Sequence, residues 1–180
     1  MSLIPPFTDD GVLPVGDHVL TLAELLVSPL VLGWRDGSDW DVPWRQELAR
    51  NLVVLVNHLR QVGIREVFVD GSFVEDKPHP NDIDGYFVCD RERYLSGELE
   101  ARLQELDPIW TWDADRRYAS PYSPKRQLPM WHKYRVELYP HVGQSTGIVD
   151  AFGHELTFPS AFRQSRGFAP KGIVKIGGLP

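Results

Sequence analysis

The stretch from Glu66 to Asp90 constrains this chain most. It reads Glu66-Val67-Phe68-Val69-Asp70-Gly71-Ser72-Phe73-Val74, then a polar loop containing Pro78 and Pro80, then Asn81-Asp82-Ile83-Asp84-Gly85-Tyr86-Phe87-Val88. An apolar strand at 66–70 leads into Gly-Ser, and a second strand at 82–88 opens with two aspartates one residue apart. Residues two apart in a strand share a face, so Asp82 and Asp84 aim side by side while Ile83 points into a core. Two carboxylates so placed suit bridging two divalent cations about 3.5–4 Å apart. Gly71 lets the chain turn sharply after the first strand. Ser72 and the N–H groups that follow it can then face an anion, and Lys77 in the loop can reach a phosphate.

Other readings of these residues exist. Pro80-Asn81-Asp82 and Asp84-Gly85 are also common turn chemistry. A calcium loop of the EF-hand kind needs oxygen ligands at alternating positions and a closing Glu; Tyr86 and Val88 stand where the later ligands belong. The apolar run Tyr86-Phe87-Val88 favours a strand.

The flanking segments read in order as follows. Residues 1–20, rich in Pro, Gly and Asp, form an extended arm that covers a sheet edge or an apolar face. Thr21-Leu22-Ala23-Glu24 is a capping-box pattern opening a short helix, which Pro29 ends. A loop at 33–43 holds Gly33, Asp36, Gly37, Asp39 and Trp40. Asp41 caps the strongest helix, 44–62, in which Leu48, Leu52, Leu55, Val56 and Leu59 recur at helical spacing, Arg45, Glu47, Arg50 and Arg60 take the other side, and Gly63 is the stop. A second helix spans Tyr94 to Leu106. Residues 107–133 form a long loop of interleaved aromatic and basic residues (Trp110, Trp112, Arg116, Arg117, Tyr118, Tyr122, Lys125, Arg126, Trp131). Such a loop can stack on a base and hold phosphate, or can simply be pinned to the core by its tryptophans. Tyr134 to Pro140 is a strand carrying Glu137 on one face with Arg135 and Tyr139. A short helix at 157–164 and a last strand at 171–176 close the chain. The six histidines show no metal-site spacing, although His132 and His141 flank the Glu137 strand and can support ligands there. The lone Cys89 reads as buried rather than nucleophilic.

The order Gly-Ser, nine intervening residues, Asp-x-Asp, then a carboxylate on a later strand resembles the signature of the DNA polymerase beta-like nucleotidyltransferase superfamily, in its minimal type. More loosely, Ile4-Pro5-Pro6-Phe7, Asp70-Gly71-Ser72-Phe73-Val74 and Lys171-Gly172-Ile173-Val174 resemble an uncharacterised bacterial family of nucleotidyltransferase-like proteins. The resemblance implies an α/β (α+β) domain, a mixed sheet backed by helices. It implies catalytic and metal-holding roles for Asp82, Asp84 and Glu137, and two Mg2+ or Mn2+ ions per site. Gly71, Ser72 and Lys77 would hold the nucleotide. The implied reaction moves a nucleotidyl group from a nucleoside triphosphate to an acceptor hydroxyl, on a protein or a small molecule, with Glu137 helping to deprotonate that hydroxyl. The superfamily more often has Asp at the third position, so Glu137 is a departure. The rival implication is a catalytically inactive module of the same fold that binds a partner or regulates it, as in a toxin–antitoxin pair.

Composition agrees with a single domain of 180 residues: an N-terminal arm and short helix at 1–43, a core with the metal site at 44–140, and a C-terminal helix and strand at 141–180. No apolar run is long enough to span a bilayer, no leader-like N-terminus is evident, and one cysteine cannot form an internal disulfide. The expectation is a cytoplasmic protein with no membrane partner. The net charge of −6 argues against bulk nucleic-acid binding. The charge is uneven: residues 1–115 hold 9 Lys/Arg against 22 Asp/Glu, and residues 116–180 hold 10 against 3. Basic groups of the second half would face an acidic site in the first, or the two surfaces simply coexist.

Overall fold

The computed structural model describes residues 4–34, 39–121 and 123–178. Asp36, Gly37 and Tyr122 lie outside the described residues. The arm enters β1 (Asp17–Leu20), and the Thr21–Glu24 capping box opens α1 (Leu22–Leu26) as expected. Pro29 does not end that helix; it sits in the first turn of the next, α2 (Pro29–Leu32), where its missing N–H costs nothing. The long helix α3 (Val42–Gln61) is capped by Asp41, whose carboxylate accepts the Trp44 N–H.

After α3 come β2 (Val67–Asp70), a single 3-10 turn at Gly71–Val74, and β3 (Ile83–Val88). The helix expected at 94–106 is two helices, α4 (Arg91–Leu95) and α5 (Glu98–Leu106), because the chain bends at Gly97 in the left-handed region. The stretch at 107–133 is not one loop. It holds a 3-10 turn at Ala114–Arg116, a hairpin of β4 (Tyr118–Ser120) and β5 (Ser123–Gln127), and α6 (Pro129–Tyr134). The strand β6 runs Val136–His141. A further hairpin, β7 (Ser145–Val149) with β8 (Glu155–Thr157), precedes the short α7 (Phe158–Ala161), and β9 is Ile173–Ile176.

The expected α+β class is found. Five strands form a mixed sheet in the order β1-β9-β2-β3-β6. β2 runs antiparallel to both β3 and β9, while β3–β6 and β1–β9 are parallel. The arm thus becomes the edge strand beside β9. One sheet face, with Val67, Val69, Ile83, Phe87, Val136, Leu138 and Val174, belongs to the main core, to which α3 contributes Leu48, Leu52, Leu55, Val56 and Leu59. Alternation puts Phe68, Tyr86 and Ile173 on the opposite face, where Phe158 and Phe162 pack over them. The acidic ends of β2, β3 and β6 lie on this second face.

Arg45 corrects the helix reading. It is not on the solvent side but completely buried. Its guanidinium donates to the carbonyls of Leu30, Phe73, Glu75, Lys77 and Pro78 and lies 3.7 Å over the Trp40 ring. One cation therefore satisfies the carbonyls of the turn and loop that lead from Gly71 towards Asp82, which a buried charge requires.

Candidate functional site

Strand register builds the site. Asp70 on β2 pairs with Asp84 on β3, and Asp84 pairs with Glu137 on β6. Side chains directly across neighbouring strands on one face stand about 5 Å apart at Cβ. Three carboxylates therefore form a row across the sheet. Asp82 lies just before β3, and its Oδ2 accepts the Trp131 indole N–H at 2.7 Å.

Asp84 is the centre of the row. Among the described residues no group donates a hydrogen bond to its carboxylate. Burial, with Asp82, Glu137 and Asp70 around it, pushes its pKa up to about 8. Gly71 makes this packing possible. It adopts φ 75°, and a Cβ there would stand 2.8 Å from Asp84 Oδ2.

Asp70 was not among the sequence candidates, although its period-2 relation to Phe68 on the Gly-Ser strand would have placed it on this face. Burial raises its pKa to about 6 against the opposing pull of Lys171. The Lys171 ammonium, itself buried, stands 2.9 Å from Asp70 Oδ1 and donates to Glu75 Oε1 at 2.7 Å. Burial works against its charge, but Asp70 and Glu75 more than offset that and hold the ammonium above its ordinary value.

Glu137 is buried and already accepts hydrogen bonds. Oε1 takes the Leu128 N–H at 3.1 Å, and Oε2 takes the Tyr139 hydroxyl at 2.5 Å. Arg117 stands 3.6 Å from Oε1 and donates to the Tyr139 hydroxyl oxygen at 3.1 Å. The expected neighbour Arg135 is not there. Its backbone is left-handed (φ 54°), which takes it off the strand, and its guanidinium stacks 3.9 Å over Trp131.

Among the described residues, no group of three or more His, Cys, Asp and Glu side chains is placed so that together they could hold a metal ion. Asp82 accepts a hydrogen bond from Trp131, and Glu137 accepts from Leu128 and Tyr139. Each of these oxygens keeps a free lone pair, and Asp84 has no donor among the described residues. Oxygen donors of this kind suit a hard divalent cation such as Mg2+ or Mn2+, and Asp82 and Asp84 are the two carboxylates that would hold it.

The row lies in a cleft of about 1390 Å³. All six residues singled out in the sequence, Gly71, Ser72, Lys77, Asp82, Asp84 and Glu137, line it. So do Lys125, Arg135, Arg166 and Lys171, all from the basic second half, whereas Arg116 and Arg126 are absent from its lining. Arg126 instead donates to the Arg117 carbonyl. His132 stacks on Tyr118, and His141 contacts the ring of Tyr86, so neither supports a ligand of the row. Burial pushes the Cys89 thiol up to about 11, which makes it unreactive.

A family model described as a family of unknown function (DUF6932) matches residues 5–177. No curated protein and no solved structure matches the chain.

Proposed function

The chain belongs to the DUF6932 family, whose function is unknown, and we propose that it is a metal-dependent nucleotidyltransferase acting in the cytoplasm on a nucleoside triphosphate and an acceptor hydroxyl. The observation that carries the reading is Asp84: a carboxylate at the centre of an acidic row, with no donor among the described residues and a proton affinity raised by burial and then by its acidic neighbours. Such an arrangement is strained without a cation and relieved by one.

In this reading Asp82 and Asp84 would hold Mg2+ or Mn2+, which would supply neutralisation of the charge that develops in the transfer. Glu137 extends the row towards the acceptor, and Leu128, Tyr139 and Arg117 fix its carboxylate there. Gly71 and Ser72 open the 3-10 turn beside Asp84, where backbone N–H groups would face the triphosphate, and Lys77 lines the same cleft. Lys125, Arg135 and Arg166 supply positive charge around the cleft for the phosphates. The acceptor oxygen bonds to the α-phosphorus, the bond to the diphosphate oxygen breaks, and the hydroxyl proton passes to a carboxylate of the row.

One observation favours the second reading, a catalytically inactive partner-binding module: both Glu137 oxygens already accept hydrogen bonds. Calorimetric titration with a non-hydrolysable nucleoside triphosphate in Mg2+ separates the two. Nucleotidyl transfer requires saturable, Mg2+-dependent heat from the wild type and its loss in Asp84→Asn. No heat from the wild type would leave the inactive module.

A further inference from the structure

The cleft that holds the acidic row is also lined by apolar side chains. Ile148, Val149 and Phe168 all line it, and they are 47%, 42% and 49% exposed. Phe168 is held there by a tight turn. Its N–H donates to the Ser165 carbonyl, the Ser165 N–H donates to the Ala169 carbonyl, and Ser165 Oγ accepts the Ala169 N–H. The turn is closed by a Gln164–Pro170 bridge and leads directly to Lys171. Phe168 itself adopts φ 66°, a region in which a bulky side chain is an outlier. A strained backbone that presents a half-exposed aromatic ring to a cleft stores its cost where a ligand can use the ring. Arg166, two residues earlier, also lines the cleft.

We propose that Phe168, with Ile148 and Val149, forms the platform on which the base of the nucleoside triphosphate stacks. This deepens the nucleotidyl-transfer reading and rests on it. The occupant follows from the lining: a ligand that is anionic where it meets the acidic row and its cation, and flat and apolar where it meets Phe168. Aromatic rings accept any base through its π-face.

The test is calorimetry in Mg2+ on wild type and Phe168→Ala with three probes: a non-hydrolysable ATP analogue, inorganic tripolyphosphate and adenosine. Losing one stacking contact should weaken the ATP analogue about tenfold and leave tripolyphosphate unchanged. Phe168→Gly, which removes the strain, should melt no lower than wild type. Equal affinity of both proteins for the ATP analogue overturns the proposal. So does a parallel loss for tripolyphosphate, or a Phe168→Gly protein that melts well below wild type. Adenosine binding that depends on Phe168, without tripolyphosphate binding, upholds the platform and removes the transferase reading. No binding of any probe by the wild type overturns both.

Discussion

Lys171 places its ammonium 2.9 Å from Asp70 Oδ1, joining the segment just before β9 to the end of β2, the strand that precedes Gly-Ser. The pair explains why the phrases Asp70-Gly71-Ser72 and Lys171-Gly172-Ile173 occur in one chain. Gly172 belongs to the same joint, since a Cβ there would collide with the Pro14 carbonyl oxygen and His18. The segment that carries Lys171 is thereby pinned between the arm and the acidic row.

Removing one partner of a buried ion pair leaves the other uncompensated, at a cost of about 3–5 kcal/mol. Lys171→Met should therefore lower the unfolding free energy by roughly that amount in urea titrations. Asp70→Asn combined with Lys171→Met should recover a substantial part of it. A double variant no more stable than Lys171→Met would mean that the ammonium acts through Glu75 alone.

Arg45 should not tolerate Lys. The guanidinium serves five carbonyls, those of Leu30, Phe73, Glu75, Lys77 and Pro78, and an ammonium has neither the fork nor the reach to do so. Orphaned buried carbonyls cost about 1–3 kcal/mol each, so Arg45→Lys should destabilise by at least a few kcal/mol. It should also loosen the loop at 73–78, seen as faster amide hydrogen exchange there than in β6.

Asp84 gives the metal-free protein an unusual pH dependence. Its carboxyl ordinarily titrates near 3.8 and is raised to about 8 in the fold. Between those values the native state keeps a proton that the unfolded chain has released, so stability falls as pH rises. Asp70, raised to about 6, acts in the same direction over the lower part of that window. Urea unfolding without metal should show wild type losing on the order of a few kcal/mol between pH 5 and pH 8.5 relative to Asp84→Asn. Parallel pH profiles for the two proteins would mean that Asp84 is ionised and relaxed in the apo fold.

Much of this site was legible because it is written in short periods. Strand alternation gave Asp84 a face, Gly-Ser gave the turn, and the capping and apolar spacing around Asp41–Gly63 gave α3. What was hidden depends on partners far along the chain. Arg45 looks like any surface cation of a helix, and its burial follows from carbonyls of Leu30 and of residues 73–78. Arg135 looks like a strand neighbour of Glu137, but its left-handed backbone turns it onto Trp131. The β4–β5 hairpin escaped because Ser123-Pro124-Lys125-Arg126 carries no apolar alternation. Asp70 was visible on the period-2 pattern, yet only the β2–β3 register aligns it with Asp84.

The most direct test of the metal site is a thermal scan of wild type, Asp82→Asn and Asp84→Asn with and without Mg2+ or Mn2+. Carboxylates about 5 Å apart repel by roughly 3 kcal/mol per ionised pair at an effective dielectric near 20. A cation that binds only the native state removes this repulsion and stabilises by mass action. The expected result is a melting temperature that rises with metal for wild type. Both Asn variants should melt higher than wild type without metal and lose most of the metal response. Asn variants that melt lower than metal-free wild type, with no metal response in any of the three proteins, would contradict a cation site at Asp82 and Asp84.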